Sequence, residues 1–212
     1  MGSALQTPSR WDGADAEQEA LTVYDETLRP LGTAPRGEVH RRGLLHQVVH
    51  GWVASRGPAG VGLWFQQRAF SKRDYPGRYD LAVGGHVDAG EDWRMAMARE
   101  MREELGLSPS PDRLAYLGLS RRELRDGPFW DREFARVFLL WEDAPAFQPG
   151  PEVAAVVQVP LEAFQAHLAG APEVTGRLSD GTPRRIAAAE WAPLPPDFPA
   201  LVLPALLAGT GL

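Results

Sequence analysis

The chain has 212 residues, 44% of them hydrophobic, no cysteine and a formal net charge of −6. This length suits one core with a modest appendage, and the missing cysteines exclude disulfides, thiolate zinc sites and cysteine nucleophiles. An acidic balance argues against a binder of nucleic-acid polymers, which needs a basic stripe, yet leaves room for a local cationic pocket.

No apolar run is long enough to span a bilayer and no signal-peptide pattern opens the chain, so the expectation is a cytoplasmic protein without membrane partners. Residues 1–18 are polar and patternless and read as a flexible tail. LTVYD (21–25) reads as a short strand, and 26–45 as a long charged connection punctuated by Gly and Pro. HQVVHGWVAS (46–55) and VGLWFQQR (61–68) read as a hairpin across RGPAG.

DLAVGG (80–85) returns to extended chain after a loop, and 92–105 is the clearest helix, with Met97, Met101 and Leu105 forming one apolar stripe. Gly106 stands at its C′ position, with Pro109 just beyond. Further strands are expected at 113–120, 133–142 and 153–160, and helices at 161–170 and 199–209. Strands and helices without regular βα alternation suggest a mixed α/β sandwich. The expected division is a tail to 18, a main domain over 19–170 and a C-terminal extension over 171–212 packed on or beside it.

The helix carries an unusual load of acid. Glu100, Glu103 and Glu104 stand at i, i+3 and i+4 and so share a face beside the methionine stripe. Unpaired carboxylates that close raise one another's pKa and cost stability. A hard divalent cation such as Mg²⁺ resolves the conflict, because it takes oxygen ligands and bridges carboxylates to phosphates. Arg99 points elsewhere, within reach of Glu91 in the preceding loop. The alternative is a solvated charged face with i,i+4 pairs to Arg94, Arg99 and Arg102.

The spacing decides between them. The stretch resembles the Nudix box, G-x5-E-x7-R-E-U-x-E-E-x-G-U, where U is bulky and aliphatic: Gly85, Glu91, Arg99, Glu100, Met101, Glu103, Glu104, Gly106 and Leu107 fill every specified position. The resemblance implies a Nudix-type α/β/α sandwich with a mixed β-sheet. It also implies Mg²⁺- or Mn²⁺-dependent attack of water on a small-molecule diphosphate, a nucleoside diphosphate derivative above all, with Glu100, Glu103 and Glu104 around the metal. Gly85, Glu91, Arg99 and Gly106 would shape the box.

Residues 35–53, 66–87 and 132–140 are similar to the branch that includes isopentenyl-diphosphate isomerase and its hydrolase-like relatives. On that likeness Arg68 and Lys72 would hold the diphosphate, and His46, His86, Asp131 and Glu133 would form a second metal site, with His40 displaced by one residue from a third histidine. Glu133 is also a candidate base, and histidine with carboxylate suits Mn²⁺, Zn²⁺ or Fe²⁺ better than Mg²⁺. The isomerase reaction needs a cysteine immediately before the Gly-His pair, where this chain has Gly84.

The reading is therefore a hydrolase that cleaves a phosphoanhydride bond of a nucleoside di- or triphosphate or a related diphosphate. An isoprenoid-diphosphate enzyme and a non-catalytic nucleotide sensor are the alternatives. Trp130, with Trp64 and Phe129, is a candidate for stacking a base. A monomer or a homodimer is equally compatible with the sequence.

Overall fold

The computed structural model describes residues 17–58 and 60–209; the tail expected over 1–18 lies almost wholly outside the described residues. In chain order the elements are β1 (Ala20–Tyr24), β2 (Pro30–Pro35), α1 (Arg36–Arg42), β3 (Leu45–Gly57), β4 (Gly60–Arg68), β5 (Tyr79–Leu81) and β6 (Val83–His86). Then come α2 (Trp93–Leu105), β7 (Leu114–Asp126), β8 (Phe129–Trp141), β9 (Val153–Pro160), α3 (Leu161–Leu168), β10 (Glu173–Leu178) and β11 (Pro183–Ala187). A π-helical turn over Phe198–Val202 leads into α4 (Leu203–Leu207).

The strands join one mixed sheet whose spine runs β11-β10-β9-β4-β3-β1-β2. Strand β3 is its axis: it is buried from Leu45 through Ser55, as a strand covered on both faces must be. Along one edge it pairs in parallel with β8, from Leu45 opposite Arg132 to Ala54 opposite Trp141. Along the other it pairs with β4 at Val53–Gly57 and with β6 at Val48–Gly51. Beyond Trp64, β4 leaves β3 and takes β5 as its neighbour instead. Two strands that start as a hairpin thus splay into a fork, and a cleft opens between the prongs.

Helices cover both faces of the sheet. Met97, Met101 and Leu105 of α2 pack with Val49, Val53, Val83 and Phe138. On the opposite face, Trp52 and Phe65 pack with Phe164 of α3 and with Trp191, Phe198 and Val202 of the C-terminal segment. The chain therefore has the α/β sandwich architecture the sequence implied. Residues 171–209 add β10 and β11 to the same sheet through β9 and place their apolar side chains in the same core.

Three expectations need correction. The stretch 26–45 is not a plain connection, because it forms β2 and α1. Proline bounds β2 at both ends, as befits an edge strand, and α1 buries only Val39, so no apolar periodicity announces it. Second, β7 and β8 run on to Asp126 and back from Phe129, well past the lengths expected. Their added arms are charged and are tied by ion pairs such as Arg132–Glu123 at 3.5 Å and Arg121–Glu26 at 3.1 Å rather than by apolar alternation. Third, β10 and β11 were not anticipated, since each offers the core little beyond Val174 and Ile186.

Candidate functional site

The box helix is set by local rules. Asp92 caps α2, accepting from the backbone N–H of Arg94 at 2.9 Å and of Met95 at 3.3 Å. At the other end Gly106 adopts φ +70°, and the N–H groups of Gly106 and Leu107 return to the carbonyls of Arg102 and Met101 at 3.1 Å, closing the helix with an αL cap. A Cβ on Gly106 would also meet the backbone oxygen of Gln148. Arg99 fixes the loop to the helix: it donates to both oxygens of Glu91 at 3.0 and 2.9 Å, to the carbonyl of His86 at 3.0 Å and to Glu100 at 2.7 Å. Such a forked, multiply satisfied guanidinium is rigid.

The fork in the sheet becomes a cleft lined by Gly84, Gly85, Glu100, Glu104 and Glu152 at one end and by His40, His50, His86, Asp131 and Glu133 at the other. Arg68 and Lys72 line it as well. At the carboxylate end, Glu104 is buried and accepts from the side chain of Gln66 and from the N–H of Gly84, both at 3.1 Å. Gly85 leaves the space that the Glu100 carboxylate fills, since a Cβ there would coincide with it. Burial pushes Glu100 up to about 7 against the pull of Arg99, and burial together with the charge of Glu100 pushes Glu104 up to about 8. Lys72 donates to Glu152 at 2.6 Å, and Arg68 lies 3.5 Å from Asp80.

The histidine end is assembled by register. Pairing β3 with β8 sets His46 opposite Glu133, and pairing β3 with β6 sets His86 opposite Val48. Helix α1 brings His40 above them. The rings of His40, His46 and His86 form a triangle with centroids 5.1 to 5.4 Å apart. Candidate ligand atoms of His40, His46 and His86 converge within 4.8 Å of one another, and so do those of His46, Asp131 and Glu133.

Three of these atoms, His46 Nε2, Asp131 Oδ1 and Glu133 Oε1, are buried without a hydrogen-bond partner, a costly arrangement that a bound cation would relieve. Burial, reinforced by the neighbouring His46, holds His40 down at about 3. Burial likewise lowers His46 and His86, so all three imidazoles are neutral and keep a lone pair. Burial and Glu133 push Asp131 up to about 8. Burial alone would raise Glu133 too, but the charged His50, 3.5 Å away, outweighs it and holds it at about 2. His50 is itself gripped from behind: its Nδ1 lies 2.8 Å from Asp197 Oδ2 and its Nε2 3.5 Å from Glu133. Asp197 is fully buried, and with Glu133 it outweighs desolvation to raise His50 to about 10.

The structure thus brings together Glu100, Glu104, Arg68, Lys72, His86, Asp131 and Glu133 around one cleft, with His46 buried directly behind. Glu103 stands at the outer rim, its side chain about one third exposed and 3.3 Å from Arg99. Trp130 lies outside: its ring packs over Gly43, whose φ of +61° ends α1, and its indole N–H donates to Glu123 at 2.9 Å. Trp64 is a core residue bonded to Ser55. Phe129 does reach the cleft.

Sequence reading counted His50 in the histidine cluster without giving it a role of its own, and gave none to Glu152, to Asp197 or to Glu19, which lines the cleft 3.7 Å from His86. His50 follows His46 by four on one strand, so the two share a face and could have been paired from the pattern. No local pattern marks the other three.

A family model described as NUDIX domain matches residues 45–195. An uncharacterized Nudix hydrolase of Clostridium acetobutylicum is 35% identical over 123 residues, 58% of this chain and 59% of that protein. An isopentenyl-diphosphate Delta-isomerase of Kocuria rhizophila is 38% identical over 90 residues, 42% of this chain and 48% of that one. The chain therefore spans about three fifths of the first relative's length and half of the second's. Among solved structures, a Deinococcus radiodurans protein superposes with a TM-score of 0.51 at 25% identity, covering 71% of this chain and 89% of that one. The box with all its specified residues in place, the forked mixed sheet and the family match agree: the chain belongs to the NUDIX domain family.

Proposed function

We propose that the protein hydrolyses a phosphoanhydride bond in a nucleoside di- or triphosphate or a related diphosphate, using Mg²⁺ or Mn²⁺. The observation that carries this reading is the juxtaposition in one cleft of Arg68 and Lys72 with Glu100, Glu104 and Glu152. Cations that can hold phosphate oxygens face carboxylates that can hold a metal. Burial raises both Glu100 and Glu104, with Glu103 and Glu152 adding to it at Glu100 and Glu100 and Glu152 at Glu104, and this is the strain that a hard divalent ion relieves. Such an ion, held by Glu100 and Glu104 with Glu103 and Glu152 beside them, would polarise the diphosphate and lower the pKa of water.

The chain's own groups divide the remaining work. Arg68 and Lys72 bind the diphosphate oxygens, Lys72 exchanging its bond to Glu152 for one to substrate. A box carboxylate accepts a proton from the attacking water. An oxygen–phosphorus bond forms as the bridging P–O bond breaks, and the same two cations stabilise the charge that develops on the departing phosphate. Arg99 takes no part in this exchange; it locks Glu91, Glu100 and the loop at His86 in place.

The donor set at the other end of the cleft, neutral imidazoles with carboxylates and orphaned atoms, fits a borderline divalent ion such as Mn²⁺. That resemblance supports an isoprenoid-diphosphate enzyme as the second reading. Against it, Gly84 offers no side-chain acid, and its N–H is already given to Glu104.

The deciding experiment measures phosphate and nucleotide release from nucleoside di- and triphosphates, nucleotide sugars, dinucleoside polyphosphates and isoprenoid diphosphates, with Mg²⁺ and then Mn²⁺. Turnover of one nucleotide class is expected, with Lys72→Gln raising its KM. Turnover confined to isoprenoid diphosphates would establish the second reading. Tight binding without turnover would leave a sensor.

A further inference from the structure

The catalytic cleft opens into a second cavity of about 400 Å³, behind Arg68 and Lys72. The two share those side chains together with Arg36, His40, Asp74, Phe129 and Glu152, so a molecule lying across Arg68 and Lys72 enters both. The cavity's charge is opposite to that of the chain as a whole. Arg36, Arg41, Arg68, Lys72 and Arg73 line it against Glu17, Asp74 and Glu152, whereas the full sequence carries −6. Glu152 pairs with Lys72 at 2.6 Å and Glu17 with Arg73, which leaves Arg36, Arg41 and Arg68 facing Asp74, with Glu19 3.8 Å from Arg36 and Asp80 3.5 Å from Arg68.

The apolar lining is confined to Pro128 and Phe129 at one side. The volume is in the range of small-ligand sites, and the charged groups around it suit an anion.

We propose that this cavity is a second anion subsite, so that preferred substrates carry a further phosphate beyond the scissile diphosphate. The inference rests on the reading of the first cleft as a diphosphate site and narrows its substrate class. Arg36, Arg68 and Lys72 line both spaces and form the divide: the box carboxylates lie on one side of it, Arg41 and Arg73 on the other. A chain of phosphates laid across the divide meets cations throughout. Charge-assisted contacts of this kind also discriminate by charge count, and are weakened by salt.

The probes are inorganic diphosphate and inorganic triphosphate, titrated calorimetrically into the full chain with Ca²⁺ present. The same titration is run on Arg41→Gln/Arg73→Gln. Both arginines are exposed, so the fold is expected to survive, and a thermal melt checks it. Triphosphate should bind about tenfold more tightly than diphosphate, and that advantage should shrink on adding salt. The double variant should lose most of the advantage while binding diphosphate as before.

Equal binding of the two probes by the wild-type protein, or an advantage the variant keeps in full, overturns the subsite. Neither result depends on turnover, so a protein that hydrolyses nothing but shows the lost advantage would still have the subsite and would refute only the hydrolase.

Discussion

The two ends of the cleft are built in opposite ways. Glu152 apart, the carboxylate end comes from one stretch, residues 84–107, in which cap, helix, stop and the Glu91–Arg99 clamp are all local. The histidine end draws His40 from α1, His46 and His50 from β3, His86 from β6, Asp131 and Glu133 from β8, and Asp197 from the C-terminal segment. One end is specified by spacing along a helix and the other by strand register. The consequence for energetics is also opposite. A change at the carboxylate end disturbs a site that its own neighbours rebuild, whereas a change at the histidine end pulls on contacts between distant parts of the chain.

Removing divalent ions tests the shared dependence and should give the largest effect. Chelation is expected to reduce turnover by about 10³-fold or more, because polarisation of substrate and water is worth several kcal/mol. Mg²⁺ or Mn²⁺ should restore it in a rate assay. Next comes Gly85→Ala, whose new methyl would occupy the place of the Glu100 carboxylate. A loss of roughly 10²-fold in kcat is expected from that displacement, with little change in melting temperature.

Asp197→Asn addresses the other end. Removing one partner of a buried pair typically costs about 3–5 kcal/mol, so denaturant unfolding should show a loss of that order. Mn²⁺ affinity should fall as well, by about 10- to 100-fold, because His50 no longer holds Glu133 in place. A variant with unchanged stability would mean that the C-terminal segment is not tied to the site through this pair.

Acidity bears directly on the carboxylate end of the metal-free protein. Glu100 and Glu104 rise from 4.5 to about 7 and about 8 on folding. Groups raised in the folded state favour it fully below their unfolded pKa, and that contribution is lost as pH climbs through the folded value. The metal-free melting temperature should therefore fall between pH 4.5 and about 8, and saturating Mg²⁺ should flatten the slope. A rising or level profile without metal would contradict the strain assigned to these carboxylates. The smallest effect is expected for Trp130→Ala, less than about threefold in KM, since the ring packs on Gly43 outside the cleft.

The contrast also explains what could be read in advance. The helix at 93–105 was legible because the Met97, Met101 and Leu105 stripe, Asp92 and Gly106 are local signals that agree with one another. Helix α1 was not, because one buried side chain in seven residues makes no periodicity. The charged arms of β7 and β8 were missed because their partners are ion pairs across strands, which spacing does not show. Glu152 and Asp197 reach the site through loop geometry alone. The base-stacking role considered for Trp130 rested on residue type, and the open backbone at Gly43 drew the ring elsewhere.

The measurement that tests the account most directly is single-turnover hydrolysis by Glu104→Gln, on whichever nucleotide the wild-type protein cleaves fastest. Glutamine keeps the shape and can still accept from Gly84 N–H, but it cannot carry the charge. The account expects the rate to fall by about 10²- to 10⁴-fold, with the melting temperature of the metal-free protein unchanged or raised. A variant that folds normally and turns over at the wild-type rate would remove the box carboxylates from the chemistry.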